Sequence, residues 1–323
     1  MQAQGFALSG ARGGGTNAAM SQARILRFYL DPGLKRSAED GRHNFITQVA
    51  DVVRGAGFRV EFKPSTATER MKSATRRGYS MFHMDEPYHE RALTMRRVYH
   101  YPFWAIEQSA RRWEWRVARA RFDPGQVDRD AADKFARYWR KRLFGKAAPV
   151  EAGGFVYVPL QGRLSVQRSF QTCTPLEMVE QTLARTDTRP VIAALHPGET
   201  HAPNEIAALE RLCADHPRLE LRTGGMEGLL PACDMVVTQN SAAAFNGFFF
   251  DKPAILFGRV DFHHIAANVA DLGVEGAFDA IVGARPDFAG YIWWFWQVMA
   301  INAGRPEAPE KIAKAMREAG WPV

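Results

Sequence analysis

The chain has 323 residues, 46% of them hydrophobic and 24% charged. That is the composition of a folded globular protein long enough for two cores, and it excludes wholesale disorder. Forty-two Lys and Arg against 35 Asp and Glu give a formal net charge of +7, which favours anionic partners without choosing among nucleic acid, acidic lipid, acidic glycan and a phosphorylated donor. The three cysteines, Cys173, Cys213 and Cys233, lie far apart and have no metal-ligand spacing. They read as free thiols in a reducing compartment, with no metal site.

Residues 1–23 read as a mobile tail, because Phe6-Ala7-Leu8 is too short for the apolar part of a secretory signal. Arg24 to Leu30 reads as a strand ending at the turn signal Asp31-Pro32-Gly33. His43 to Gly55 carries Phe45, Ile46, Val49, Val52 and Val53 at spacings of three and four, one face of a helix. Glycines end it, and Phe58 to Phe62 alternates like a second strand, completing a strand-helix-strand opening typical of doubly wound domains. Arg70 to Arg77 is helix-compatible, and Tyr79 to Phe82 is a short strand candidate running into His83-Met84-Asp85-Glu86. Titratable groups at a strand end suit acid/base chemistry; the alternative is a polar surface turn.

Tyr99 to Arg121 interleaves aromatic residues with arginines, a mixture that can stack bases or sugars or form an amphipathic helix. No nucleic-acid motif accompanies it, so no nucleic-acid partner is expected. Asp130 to Leu143 reads as a basic helix, and Gly145 to Gly154 as an interdomain linker.

The second half alternates strand and helix throughout. Phe155 to Leu160 is a strand. Thr174-Pro175 with Glu177 is a capping box opening a helix over 176–183. Val191 to Leu195 is a strand stopped at His196-Pro197, where the proline holds the histidine extended. Asn204 is the expected cap of a helix to Cys213; Leu219 to Arg222 and Cys233 to Thr238 are further strands. Thr238-Gln239-Asn240-Ser241 then precedes the small residues Ala242-Ala243-Ala244, a helix start whose backbone N–H groups can face an anion or be capped locally. Asp287 to Asn302 reads as an aromatic-rich helix that packs, with a membrane-surface anchor as rival; its apolar stretch falls short of the roughly 20 residues of a spanning helix.

The order Pro159-Leu160-Gln161, then Leu195-His196-Pro197, then the stretch from Asn240 to Gly258 resembles the capsular polysaccharide biosynthesis glycosyltransferases. These are Kdo-transferase-like proteins of the GT-B fold, with a His-Pro motif related to that of bacterial sialyltransferases. The resemblance implies an α/β, GT-B-like chain whose two Rossmann-like domains face each other across a cleft. It divides into an acceptor-side domain over 24–150, a nucleotide-binding domain over 151–284, and C-terminal helices over 285–323 crossing back to the first domain. It implies a glycosyltransferase without cofactor, using a nucleotide-activated sugar, CMP-linked, on a glycan or glycolipid acceptor in capsule or surface polysaccharide synthesis. The implied location is the cytoplasm, with peripheral inner-membrane association as an option. Carried over, His196, Pro197 and Gln161 contact the nucleotide, Asn240 and Ser241 hold its phosphate, Asn246 faces the ribose, and Asp85 or Glu86 supplies the base. The sequence departs from the pattern at Ala244 and Asn246, where the family tends to Gly and Glu, and lacks the acidic residue expected after Gln161. A non-catalytic glycan- or nucleotide-binding component of a polysaccharide assembly complex is the alternative reading.

Overall fold

The computed structural model describes residues 23–145, 153–186 and 188–323. The N-terminal tail and most of the Gly145–Gly154 join lie outside them. The first sheet begins with β1 (Ile25–Leu30), followed by α1 (Pro32–Glu39), α2 (Asn44–Gly55), β2 (Arg59–Pro64), α3 (Ala67–Ser73) and β3 (Tyr79–His83). Then come β4 (Ala92–Arg97), β5 (Phe103–Glu107), the single turn α4 (Arg116–Arg119) and the long α5 (Arg129–Phe144).

Helix α1 replaces the simple turn expected after β1. Asp31 accepts a hydrogen bond from the Leu34 N–H at 2.9 Å, and Pro32 occupies the first helical position, so the turn signal is a helix start. His43 caps α2 through its ring Nδ1, 3.2 Å from the Ile46 nitrogen, and the expected apolar residues Phe45, Ile46, Val49 and Val53 are fully buried. The aromatic-arginine stretch is not one amphipathic helix: it holds β5, a 3-10 turn and α4.

The second sheet comprises β6 (Val156–Leu160), α6 (Pro175–Arg185), β7 (Val191–Leu195), α7 (Pro203–Asp215), β8 (Leu219–Thr223), α8 (Met226–Ala232), β9 (Met235–Thr238), α9 (Ala242–Gly247), β10 (Ala254–Leu256), β11 (Ala267–Asn268) and α10 (Val269–Ile281). The capping box of α6 is formed in both directions: the Thr174 hydroxyl accepts from the Glu177 N–H at 3.1 Å, and the Glu177 carboxylate accepts from the Thr174 N–H at 2.7 Å. Helix α7 starts earlier than expected. Asn204 lies inside it, and the Glu205 carboxylate takes the free N–H of Ala202 at 3.1 Å.

Beyond α10, α11 (Phe288–Trp293) widens into a π-helical turn over Trp294–Met299, then gives way to β12 (Ile301–Asn302) and α12 (Ala308–Glu318). The helix expected to run to Asn302 changes from α to π after Trp293 and ends at Met299, where Ile301 and Asn302 go on to pair antiparallel with Trp104 and Phe103 of β5. Each sheet has six strands, ordered β12-β5-β4-β3-β1-β2 and β11-β10-β9-β6-β7-β8. The second is parallel throughout; the first is parallel from β2 to β4 and antiparallel at the β4-β5-β12 edge.

Aromatic side chains fill the space between the two units. Trp296 is fully buried and stacks on Phe103 with ring centres 4.3 Å apart; Phe245, Phe248, Tyr291 and Phe295 continue the same cluster. Trp294, Phe295 and Trp296 are inside, so these rings are not offered to a lipid surface.

Candidate active site between the sheets

Strand register sets the geometry. β6 and β7 pair in parallel from Val156 with Val191 to Leu160 with Leu195. β6 pairs with β9 from Val156 with Met235. One residue past the strand ends Gln161 lies beside His196, and the β6-β9 register carried on from Tyr157 and Val236 brings Asn240, two residues beyond β9, to the level of Gln161, on strands about 4.8 Å apart. The residues expected on the nucleotide thus form one row at the carboxyl edge of the second sheet, where open α/β sheets hold ligands.

A matching row comes from the first sheet. Tyr29 lies opposite Phe82 and His83 opposite Met95, which brings Asp31, Met84 and Arg96 to one level. Between the two rows is a cavity of about 500 Å³. Gln161, Asn240, Ala242 and Asp261 face it from the second unit; His43, His83, Arg96, Tyr99, Trp104 and Arg112 are among those that face it from the first.

The predicted residues are distributed unevenly around this cavity. Gln161 and Asn240 line it. His196 and Pro197 are exposed beside it; Nδ1 of His196 accepts from the Gly198 N–H at 3.1 Å, leaving Nε2 outward. Ser241 is 5% exposed and caps α9, its hydroxyl accepting from the Ala243 N–H at 3.2 Å. Asn246 is buried away from the cavity, with Oδ1 2.8 Å from Nε2 of His100, a bond that ties the two units together.

Asp85 and Glu86 do not line the cavity. Asp85 accepts from Arg70 and from the Ser65 hydroxyl, each at 3.0 Å. Glu86 accepts from the Ala110 N–H at 2.8 Å and from Ser109. Met84 adopts a left-handed backbone with φ of 65°, so the chain leaves β3 sharply and carries both carboxylates past the opening. His83 is the titratable group at the end of β3 that stays at the cavity, its Nδ1 4.0 Å from a carboxylate oxygen of Asp31; His43, Tyr99 and Asp261 line the same cavity. Burial lowers its pKa, and Asp31 and Asp85 oppose that shift, so the ring is neutral near pH 7 and able to accept a proton.

The loop carrying Gln161 is braced by two acids that follow β7, Glu199 in the connecting loop and Glu205 in the first turn of α7. Gly162 has φ of 70°, a conformation that favours glycine, and its N–H donates to Glu199. Glu205, 6% exposed, accepts from the N–H groups of Leu164 at 2.6 Å and Ser165 at 3.1 Å. Carboxylates absent from the sequence just after Gln161 therefore reach this turn through space. Burial opposes the charge on Glu205, but the N–H donors of Ser165, Ala202 and Leu164 outweigh it and hold the carboxyl below its usual range.

Opposite that loop lies a buried polar cluster that sequence reading missed. Tyr99 donates to Asp261, and Arg112 donates to the Tyr99 hydroxyl at 2.6 Å and to the Asn240 carbonyl at 3.1 Å. Asp261 is fully buried, with Oδ2 unpartnered among the described residues. Burial pushes its carboxyl upward, opposed chiefly by Arg112. Tyr99, like Met84, has φ of 65°; left-handed backbone in bulky residues clusters at functional sites. The only sequence signal was an arginine and a tyrosine within the aromatic-basic stretch, thirteen residues apart and about 150 from their partner.

No family model matches the chain, and no curated protein matches it. Among solved structures, it is similar to Thermosulfurimonas dismutans KpsC, a beta Kdo 2,7 transferase, with a TM-score of 0.52 at 11% identity, covering 91% of this chain and 99% of that one. The wall teichoic acid polymerase TagF, as its H548A variant, aligns over 92% of this chain and 89% of that one at 7% identity, with a TM-score of 0.31. The likeness to KpsC is one of fold: the chain is an α/β protein of GT-B-like architecture.

Proposed function

We propose that the protein is a glycosyltransferase that takes a nucleotide-activated sugar, CMP-linked, and transfers the sugar to a glycan or glycolipid in capsule or surface polysaccharide synthesis. The observation that carries this reading is the meeting of strand-end residues from both sheets across one cavity, Gln161 and Asn240 on one side and His83, Met84 and Arg96 on the other, with His196 next to Gln161 in register. The fold shared with a Kdo transferase supports it.

On the second sheet, His196 and Pro197 frame the nucleotide, with the outward Nε2 of His196 free to donate to it. Gln161 and Asn240 reach it from the adjacent strand ends, and the α9 start capped by Ser241 receives the phosphate. A ribose contact from Asn246 requires its bond to His100 to open. Transfer needs a base for the acceptor hydroxyl and stabilisation of the departing phosphate. His83, oriented by Asp31, takes the proton in this reading; Asp85 adds negative charge behind it, while Glu86 stays bound to the Ser109-Ala110 turn. The leaving phosphate is met by the helix start and by the Arg112 side of the cavity.

Titration with CMP, UDP and GDP tests the donor site: CMP should raise the melting midpoint most. If no nucleotide raises it at millimolar concentration, the donor assignment is wrong.

A further inference from the structure

The cavity holds more positive charge than donor binding uses. Arg96, Arg97 and Arg112 line it, against the single carboxylate of Asp261. Arg112 is committed to Tyr99, Asp261 and the Asn240 carbonyl. Arg96 is different. It is half-buried on β4, and its guanidinium makes no hydrogen bond or ion pair with the described residues. Burial lowers its pKa, and the neighbouring Arg112 adds to that.

A guanidinium presents five N–H donors and stays charged at any ordinary pH. Drawing it out of water without a partner costs free energy that a bidentate oxyanion recovers. The surroundings describe the rest of such a ligand. Arg96 stands at the level of Asp31 and Met84, beside His83, and the rings of Tyr101 and Trp104 line the same wall. Flat aromatic walls suit a sugar ring. The donor phosphate, in the reading above, sits on the opposite sheet.

We propose that Arg96 docks a carboxylate or phosphate carried by the acceptor, so that the acceptor is an acidic or phosphorylated glycan rather than a neutral one. This rests on the glycosyltransferase reading. It concerns the first-sheet side alone, and its failure is separable from that of the donor site.

Isothermal titration of nucleotide-free protein with inorganic phosphate, glucuronate and glucose tests it. We expect at least one anion to bind, glucose to bind at least tenfold more weakly, and the preferred anion to tell phosphate from carboxylate. Arg96→Gln should lower anion affinity at least tenfold and Arg96→Lys less, with CMP affinity within twofold of wild type in both. The melting midpoint of ligand-free Arg96→Gln should equal or exceed that of wild type, because an unpaired cation has been removed. The proposal is overturned if wild type binds neither anion, or if Arg96→Gln leaves anion affinity unchanged. It is overturned equally if CMP affinity falls in step with anion affinity, which assigns Arg96 to the donor, or if the ligand-free variant melts several degrees lower, which makes Arg96 structural. A failed donor reading looks different: wild type would bind no nucleotide at all.

Discussion

His196 and Ser241 sit in the same row of motifs but under different physical constraints. His196 is exposed and makes one local bond, so His196→Ala should leave ligand-free stability within about 0.5 kcal/mol of wild type while lowering nucleotide affinity. Ser241 is a helix cap, and Ser241→Ala should cost about 1 kcal/mol of stability as well as affinity; Ser241→Asn keeps a capping oxygen and should restore the stability. Denaturant melts and nucleotide titrations of the three variants check both halves, and unchanged nucleotide affinity in the two alanine variants would remove these residues from the site.

Glu107, outside the main cavity, is one of the residues that make stability respond to pH. Burial raises its pKa from 4.5 to about 7, against the pull of the Arg116 N–H at 3.1 Å and of Arg116 and Arg119. A carboxyl with a folded-state pKa above its unfolded value contributes its stability fully below the unfolded pKa and loses it as pH rises through the folded one. Glu107→Gln should therefore match wild type near pH 4, gain on it between about pH 4.5 and 7, and stay ahead by about 3 kcal/mol at pH 8. A difference in unfolding free energy that is flat across that range would show that the carboxyl is not perturbed.

Among the elements, the loop from Gln161 to Ser165 depends on α7 for its shape. Glu205 occupies the first turn of α7, takes the helix's own Ala202 N–H, and with its other oxygen holds Leu164 and Ser165. One buried carboxylate thus fixes both the start of a helix and the loop that presents Gln161 to the cavity. Glu205→Ala leaves these N–H groups without an acceptor and should cost about 2–4 kcal/mol. Amide exchange at Leu164 and Ser165 should speed up more than at the strand residues of β6; equal effects at both would mean that the loop does not depend on Glu205. The capping box of α6 was legible because all its partners lie within four residues. The brace at Glu205 was not, because its partners lie 40 and 41 residues away.

For the whole molecule, the aromatic stretch at 288–299 joins the two units rather than serving either alone. α11 packs on α5, the π-helical turn buries Trp296 against Phe103, and β12 closes the edge of the first sheet. The arginine-aromatic stretch at 99–121 works at the same seam: Arg112 lies over the Tyr99 ring at 5.6 Å, and Arg259 of the second unit lies over Trp113 at 5.4 Å. Residues that could have served nucleic acid or lipid are largely used to hold the cleft walls in register.

The sequence by itself determined the alternation of strand and helix and most strand positions, and placed His196 and Asn240 just after apolar strands; the strand registers of the structure aligned them with Gln161. Those follow from local periodicity, from caps and prolines acting over a few residues, and from the rule that ligands gather at parallel strand ends. Only the tertiary structure decided which acid/base group faces the cavity, because a single left-handed residue, Met84, turns Asp85 and Glu86 away and leaves His83. It alone also assembled Tyr99, Arg112 and Asp261 and left Arg96 without a hydrogen-bond or ion-pair partner among the described residues, since burial and pairing among residues so distant in sequence exist only once the two sheets close on each other.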